Sequence, residues 1–287
     1  MQEQVSDLAR FLSLAPPLVL TGAGMSTDSG IPDYRGPDGS RRVTPMTHTE
    51  FATSAAGRQR YWARSYAGWL RFAAARPNAG HQSLARLQAD GRIATIITQN
   101  VDLLHQRAGA RDVVDLHGRL ADVVCLDCEA RYPREAVQEW LAQANPGAAD
   151  LTEPLPGGSR VSAQIRPDGD VVLAPEAIAG FRVPVCSVCR GERLKPDVVF
   201  FGASVPPARV AQCFELTDAA SALLVLGSSL MVMSGLRFVK RAAAQGKPIA
   251  IVTLGPTRGD ELASLRIDAS ISPLLQALAE PAVWPAR

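Results

Sequence analysis

The 287-residue chain has no run of about 18 consecutive apolar residues, so no segment is predicted to span a membrane. No leader is expected at its amino terminus. Residues 1–14 read as an amphipathic helix carrying Glu3 and Asp7, without the apolar core of a secretory signal or the acid-poor, Arg-rich pattern of a transit peptide, and a cytoplasmic location is expected. Net charge is almost absent, +2 from 30 basic and 28 acidic side chains, and the basic residues are scattered rather than striped, so nucleic acid is not an expected partner. Aromatics make up only 6% and there are four histidines, against 47% apolar and 20% charged residues, an ordinary globular composition. That length allows one large domain with insertions or two modest ones. Internal repeats and low-complexity tracts are missing; residues 155–158 read as a loop and 281–287 as a frayed end. The five cysteines do not make a disulfide framework, because four stand in two C-x-x-C pairs that suit metal ligation in a reducing compartment.

Along the chain, residues 16–20 form a short apolar run that breaks into a glycine turn, the pattern of a buried strand entering a ligand loop. A polar Gly/Pro-rich stretch, 29–45, precedes a helical pattern over 48–75 that carries Tyr61, Trp62, Tyr66, Trp69 and Phe72. Further β-rich runs at 93–98, 113–116, 198–201, 222–226 and 249–253 alternate with helical segments, which predicts a parallel sheet with helices on both faces. Residues 119–195, rich in Gly, Pro and Asp and bounded by the cysteine pairs, break this rhythm and read as a smaller module.

Three segments at predicted strand ends could carry chemistry. Gly22, Gly24 and Gly30 follow the first strand as G-x-G-x5-G, which suits backbone N–H groups approaching a pyrophosphate but departs from the G-x-G-x-x-G fingerprint; a tight strand-to-helix turn uses the same residues. Thr98-Gln99-Asn100-Val101-Asp102 places amide and carboxylate side chains at the carboxyl edge of the sheet, where open α/β folds bind ligands; a helix cap needs Asn100 or Asp102 alone. His117 sits in Asp115-Leu116-His117-Gly118, where glycine permits close approach to an imidazole able to exchange protons near neutral pH. His48, His81 and His105 read as surface or packing residues.

Cys125-x-x-Cys128 and Cys186-x-x-Cys189 can supply four thiolates to one zinc ion, and a site with four protein ligands has no vacancy for a reacting water, hence a structural metal. Fifty-seven residues separate Cys128 from Cys186, so the fold must bring the pairs together; a redox pair is the competing use. Cys213 reads as a small buried hydrophobe.

Taken in order, residues 22–36 (GAGMSTDSGIPDYRG), TQNVD, LHG, the two cysteine pairs, KPDVVFFG and LGSSL resemble the sirtuin family over about residues 17–275. RQRYWAR at 58–64, RPDGDV at 166–171 and GPTR at 255–258 are most similar to the class II, mitochondrial sirtuin four branch and its bacterial relatives. The resemblance implies an α/β protein: a Rossmann-like NAD-binding domain from residues 1–36, 81–118 and 196–287, with a helical insertion (37–80) and a zinc-binding module (119–195) forming a small domain. It implies NAD as co-substrate, one structural zinc, acyl-lysine proteins as partners and a monomeric state. The implied activity moves the acyl group of a protein lysine to ADP-ribose, giving 2′-O-acyl-ADP-ribose and nicotinamide.

By the same resemblance, Gly22, Ala23, Gly24, Thr27, Asp33, Tyr34 and Arg35 lie along the cofactor, Gln99, Asn100 and Asp102 orient its ribose and nicotinamide, and Gly227, Ser228, Ser229, Thr253, Leu254, Gly255 and Ile271 complete the cofactor site, mainly on the adenosine side. Thr253 stands where relatives often carry asparagine. His117 is the implied general base, with Asn100 and Asp102 in the catalytic set. Val199, Phe200, Phe201 and Gly202 line the substrate, whose peptide would add as a strand beside 201–203 and the segment after Leu230; Ala203 replaces a residue that is often acidic. Tyr61-x-x-Arg64 resembles the pair with which desuccinylating sirtuins grip an acidic acyl chain, and i, i+3 spacing puts both on one helix face. An acidic or otherwise longer acyl group is therefore expected, unless Arg64 is merely solvated and Tyr61 belongs to the aromatic packing face. Competing functions are protein mono-ADP-ribosylation from the same NAD site and a non-catalytic scaffold that binds zinc and NAD.

Overall fold

The strands Leu18–Thr21 (β1), Leu223–Leu226 (β7) and Ile249–Val252 (β8) are buried at every position, which is what a parallel sheet covered on both faces requires. The computed structural model describes residues 1–36, 38–148, 166–280 and 283–284. With Ile96–Thr98 (β2), Val113–Asp115 (β3) and Leu265–Ile267 (β9) these strands make a six-stranded parallel sheet of order β3-β2-β1-β7-β8-β9. The chain leaves β1 toward β2 on one side and reaches β7 on the other, so β1 and β7 flank the point where the strand order reverses.

One face of this sheet, through Val19, Ile96, Leu224, Ala250 and Val252, joins a continuous apolar core with Gln2–Leu14 (α1), Ala79–Ala89 (α4) and Ile271–Leu278 (α10). Along β1, β7 and β8 the alternate residues Leu18, Leu20, Leu223, Val225, Ile249 and Ile251 are equally buried and point the other way, as the two-residue period of a strand demands. Pro207–Ala219 (α8) and Met233–Ala244 (α9) pack together, Phe214 meeting Phe238 edge-on at 5.3 Å. Leu104–Arg107 (α5) is a single turn following β2.

The chain forms two compact units, residues 1–42, 76–116 and 205–287, which hold this sheet, and residues 43–75 with 117–204. In the second unit Thr47 and Ser54 cap His48–Thr53 (α2) and Ala55–Ala74 (α3), their hydroxyls accepting from Glu50 N and Gly57 N. Ser54 thus splits the helical pattern that the sequence presents as continuous. An antiparallel sheet of order β5-β4-β6 comprises Arg131–Pro133 (β5), Gly118–Cys125 (β4) and Leu194–Val198 (β6), and Arg134–Ala144 (α6) and Pro175–Ala179 (α7) complete the unit. Trp62, fully buried on α3, donates its indole N–H to Leu194 O at 3.0 Å.

Three further features differ from the sequence expectation. The boundary drawn at 195/196 falls inside β6, because that strand pairs antiparallel with β4 in register Cys125↔Leu194; the run at 198–201 is therefore not part of the parallel sheet. β9 was missed because it is three residues long with Arg266 at its centre, a charge held by Asp260 and by the carbonyls of Thr253 and Gly255. The tail expected to fray includes Trp284, whose Nε1 donates to Leu278 O at 2.9 Å under the Arg92 guanidinium, 4.1 Å from the ring centroid. Residues 281–282 and 285–287, and the loop expected at 155–158, lie outside the described residues.

Candidate active site

Because β1, β2 and β7 are adjacent and parallel, the segments leaving their carboxyl ends meet at one edge of the first unit. Gly22 N donates to Leu226 O and Gly24 N to Gly227 O, at 3.0 and 2.9 Å. A Cβ on Gly22 would stand 2.8 Å from Gly227 O and from Ser228 Cβ, and one on Gly24 3.0 Å from Gly227. Gly227, at φ +64°, would place a Cβ 2.6 Å from Met25 N and 2.8 Å from the Ile271 side chain. These glycines are thus required first by one another: two strand-end loops pack backbone on backbone, and the close approach leaves both at the sheet edge.

The amides and carboxylate of 99–102 close over this junction. Gln99 Nε2 donates to Ser228 Oγ at 2.8 Å and to Thr21 O at 3.3 Å. Asn100 Nδ2 donates to Gly22 O at 3.1 Å and to Ser26 Oγ at 3.0 Å, and the Ser26 hydroxyl donates to Asp102 Oδ2 at 2.7 Å. Burial pushes the Asp102 carboxyl above the usual range, opposed by hydrogen bonds from Leu104 N and Ser26. Its other oxygen accepts from Leu104 N at 2.9 Å, but the N-cap of α5 is Leu103, so neither Asn100 nor Asp102 is the helix cap that the sequence had left open. Ser26, which is buried and joins Asn100 to Asp102, was missed; inside a glycine-rich segment a serine reads as turn residue.

The remaining first-unit residues hold the surrounding loops. Thr27 Oγ1 donates to Gly24 O at 3.1 Å. Asp33, Tyr34 and Arg35 stand on a loop that bridges back on itself between Arg35 and Arg41; Arg42 lies 3.0 Å from the Asp33 carboxylate, yet burial outweighs it and raises the Asp33 pKa. Ser228 Oγ accepts from Leu230 N, and Ser229 O from Arg258 N. Thr253 is buried at the end of β8, Leu254 is exposed, and Gly255 N donates to Asp268 Oδ1 at 3.2 Å. His81 and His105, expected at the surface or in packing, are both buried.

In the second unit, His117 opens the run into β4, its carbonyl accepting from Val199 N at 2.8 Å. A Cβ at Gly118, φ +82°, would stand 1.9 Å from Asp197 O, so this glycine admits the β6 backbone rather than a group bound for the imidazole. Phe200 is buried edge-on to Phe51 at 5.3 Å with the Lys195 ammonium 4.6 Å from its ring, and Phe201 O accepts from His48 N at 2.9 Å. Gly202 takes the left-handed turn that follows.

Tyr61 and Arg64 do share a helix face, but both are occupied. Tyr61 is enclosed by Phe51, Trp62 and Phe200 at centroid distances of 5.2–5.5 Å, and burial drives its pKa up. Arg64 donates to Val171 O at 2.7 Å and lies 3.6 Å from the Asp170 carboxylate, itself 3.3 Å from Arg166. Arg64 is therefore not a solvated residue. Gly68 and Gly169 make this docking possible: a Cβ on Gly68 would stand 2.1 Å from Gly169 O. Burial and the neighbouring Asp168 raise the Asp170 pKa to about 7.

The four cysteines fit one zinc. Their sulfurs lie within 4.8 Å of one another, with Cys125–Cys189 at 3.6 Å and Cys128–Cys186 at 3.7 Å. Four sulfurs about 2.3 Å from a tetrahedral ion stand roughly 3.8 Å apart. Both knuckles have one geometry: Glu129 N donates to Cys125 O and Arg190 N to Cys186 O, with Glu129 and Arg190 at positive φ. The β4–β6 register closes the long gap between the pairs, since Cys125 ends β4 opposite the first residue of β6.

Comparison with known proteins agrees with the motif order. The Sir2 family model matches residues 22–234. The NAD-dependent protein deacetylase 1 of Streptomyces coelicolor is 53% identical over 264 residues, covering 92% of this chain and 85% of its own. The NAD-dependent protein deacylase SRT2 of Arabidopsis thaliana is 45% identical over 282 residues, covering 95% and 75%. Among solved structures, one described as Sir2-p53 peptide-NAD+ is 30% identical with a TM-score of 0.74 over 96% of this chain and 97% of that one. A family match across 22–234, joined to a relative 53% identical over most of both chains and to a shared fold, shows that the chain belongs to the Sir2 family.

Proposed function

We propose that the chain is an NAD-dependent protein-lysine deacylase, and the observation that carries this is the strand-edge junction in which the Gly22, Gly24 and Gly227 backbones pack together, with Gln99 bonded to Ser228, and Asn100 joined to Asp102 through Ser26, beside it. The relatives named as NAD-dependent deacetylases and deacylases support it. NAD, when bound, supplies a ribosyl carbon that accepts the acyl oxygen as nicotinamide leaves. Gly22, Ala23, Gly24, Thr27, Asp33, Tyr34 and Arg35 would hold its phosphates and nearer ribose, backbone N–H groups facing anionic oxygens. Gly227, Ser228, Ser229, Thr253, Leu254, Gly255 and Ile271 would hold the adenosine side. Asn100 and Asp102, oriented through Ser26, would fix the nicotinamide end. His117 would accept the proton that leaves the ribose hydroxyls as the acyl group moves. Val199, Phe200, Phe201 and Gly202 would accompany the peptide, and the zinc on Cys125, Cys128, Cys186 and Cys189 would hold the β4–β6 end in shape.

For the acyl group, the pairing of Arg64 with Asp170 and Val171 O favours a neutral chain, acetyl or a longer apolar acyl, over an acidic one. An acyl carboxylate would have to compete with a carboxylate already held in place. The resemblance to the class II branch in 58–64 and 166–171 belongs to the same proposal.

The test is a panel of acetyl-, octanoyl-, succinyl- and glutaryl-lysine peptides with NAD, scored for nicotinamide and for the mass of O-acyl-ADP-ribose. Wild-type protein is expected to turn over neutral acyl groups and His117→Ala to lose turnover; Asp170→Ala is expected to raise the rate on acidic chains relative to acetyl. ADP-ribose attached to protein without acyl release would replace deacylation by mono-ADP-ribosylation, and a wild-type preference for succinyl over acetyl would sink the neutral-acyl reading.

A further inference from the structure

Two buried histidines of the first unit have no part in the chemistry above, yet they are wired to it. His105, on α5, has Nε2 2.9 Å from Thr21 Oγ1, and Thr21 Oγ1 lies 2.8 Å from Thr98 Oγ1. Thr98 Oγ1 in turn accepts from the backbone N–H of Asn100 at 3.1 Å. His81, on α4, accepts at Nδ1 from Asn78 N, at 3.4 Å, within the capping box of that helix. The two rings lie 4.9 Å apart, centroid to centroid, at 61°. The remaining nitrogen of each, His81 Nε2 and His105 Nδ1, is buried with no hydrogen-bond partner.

These contacts leave one consistent arrangement of protons. A neutral His81 that accepts at Nδ1 must carry its proton on Nε2. The state of His105 follows from its own partner: the Thr21 hydroxyl donates to Thr98, so its oxygen accepts from His105 Nε2, which puts the ring proton on Nε2 and leaves Nδ1 bare. His105 then donates from Nε2 to Thr21, the Thr21 hydroxyl donates to Thr98, and Thr98 offers its oxygen to Asn100 N. Both rings stay neutral, because burial lowers the pKa of His81 to about 4 and that of His105 to about 3.

We propose that His105, protonated at Nε2, is a positioning residue that orients Asn100 through the Thr21 and Thr98 hydroxyls. This rests on the deacylase function and extends it, since Asn100 is the member of the strand-edge group whose backbone the chain of hydroxyls reaches. The network starts at the N-cap Asn78, whose amide also donates to Met25 O at 2.9 Å, so it ties the start of α4 to the glycine loop as well.

The test compares His105→Phe, which fills the space without a donor, with His105→Gln, whose amide can reach Thr21, and with Thr98→Val, which removes the acceptor of Asn100 N from the other side. His105→Phe and Thr98→Val are expected to lower kcat for deacylation roughly 10-fold with peptide KM unchanged, the size of one lost hydrogen bond. His105→Gln is expected to recover most of it. With four histidines in the chain, single substitutions assign the ring nitrogens by 15N NMR, and His105 should be protonated at Nε2 and bare at Nδ1. Wild-type kcat in His105→Phe, failure of His105→Gln to exceed it, or a proton on His105 Nδ1 would overturn the proposal. Should His105→Phe lose its fold, Thr98→Val and the wild-type tautomer decide the matter. Wild-type protein that releases no nicotinamide from NAD and acyl-peptide defeats the deacylase function instead; the network claim then stands or falls on the tautomer and on whether the Asn100 amide resonance moves in His105→Phe but not in His105→Gln.

Discussion

Ser26 is the hydroxyl that joins two members of the strand-edge group, Asn100 and Asp102. Its hydroxyl is both the acceptor for Asn100 Nδ2 and the donor to Asp102 Oδ2. Replacing it by alanine removes one partner each from a half-buried amide and a half-buried carboxylate, a loss of about 1–3 kcal/mol. Ser26→Ala is therefore expected to lower kcat/KM for deacylation by roughly 10-fold or more, since about 1.4 kcal/mol is one decade. Steady-state kinetics beside a thermal melt would check it, and unchanged kcat/KM would remove Ser26 from the site. At this scale the sequence marked Gly22, Gly24, Asn100 and Asp102 correctly as a strand-end group, but not their reason. The glycines are needed by the Gly227 loop that lies about 200 positions away in sequence, a contact that local spacing does not encode.

At the scale of elements, the zinc knuckles join β4 to β6 and are the only metal-ligating cluster found among the described residues. Four thiolates complete a tetrahedron, so the ion contributes to folding rather than to the reacting centre. Chelation is expected to lower the thermal midpoint, and activity should disappear with the folded population rather than ahead of it. Calorimetry and activity followed on one chelated sample test this; inhibition at unchanged thermal stability would contradict a structural ion. The cysteine pairs were legible because their spacing is local, whereas the register that unites them was not. The same limit explains Arg64: i, i+3 spacing on α3 was readable, but its carboxylate partner comes from a loop about 100 residues on, docked through Gly68 and Gly169.

For the whole molecule, buried titratable groups set the response to acid. His81 and His105 have folded pKa values of about 4 and about 3, below an unfolded value of about 6.5, so the unfolded chain binds protons that the fold refuses. Their contribution is fully present above pH ~6.5 and is lost as pH falls from there toward ~4, by up to about 1.4 kcal/mol per unit for each ring. Asp170 acts the other way, because its folded pKa of about 7 exceeds the ordinary carboxylate value and its contribution is lost as pH rises. Urea midpoints from pH 7 to 4.5 should fall in the wild type, and His81→Gln/His105→Gln should remove much of that slope. Equal slopes in both proteins would rule out the histidine pair as its source.

Local patterns determined a good deal by themselves. The uniform apolar runs of β1, β7 and β8 specify buried parallel strands, the C-x-x-C spacing specifies a four-thiolate centre, and the ordered motifs specify the Sir2 family, because each signal lies within a few consecutive residues. Only tertiary structure decided which groups those residues meet: β6 with β4 instead of the parallel sheet, Asp170 on Arg64, Asp197 O against Gly118, Ser26 between Asn100 and Asp102, and His81 beside His105. Each of these depends on contacts between residues far apart in sequence, whose distances, burial and hydrogen-bond partners do not exist until the chain has folded.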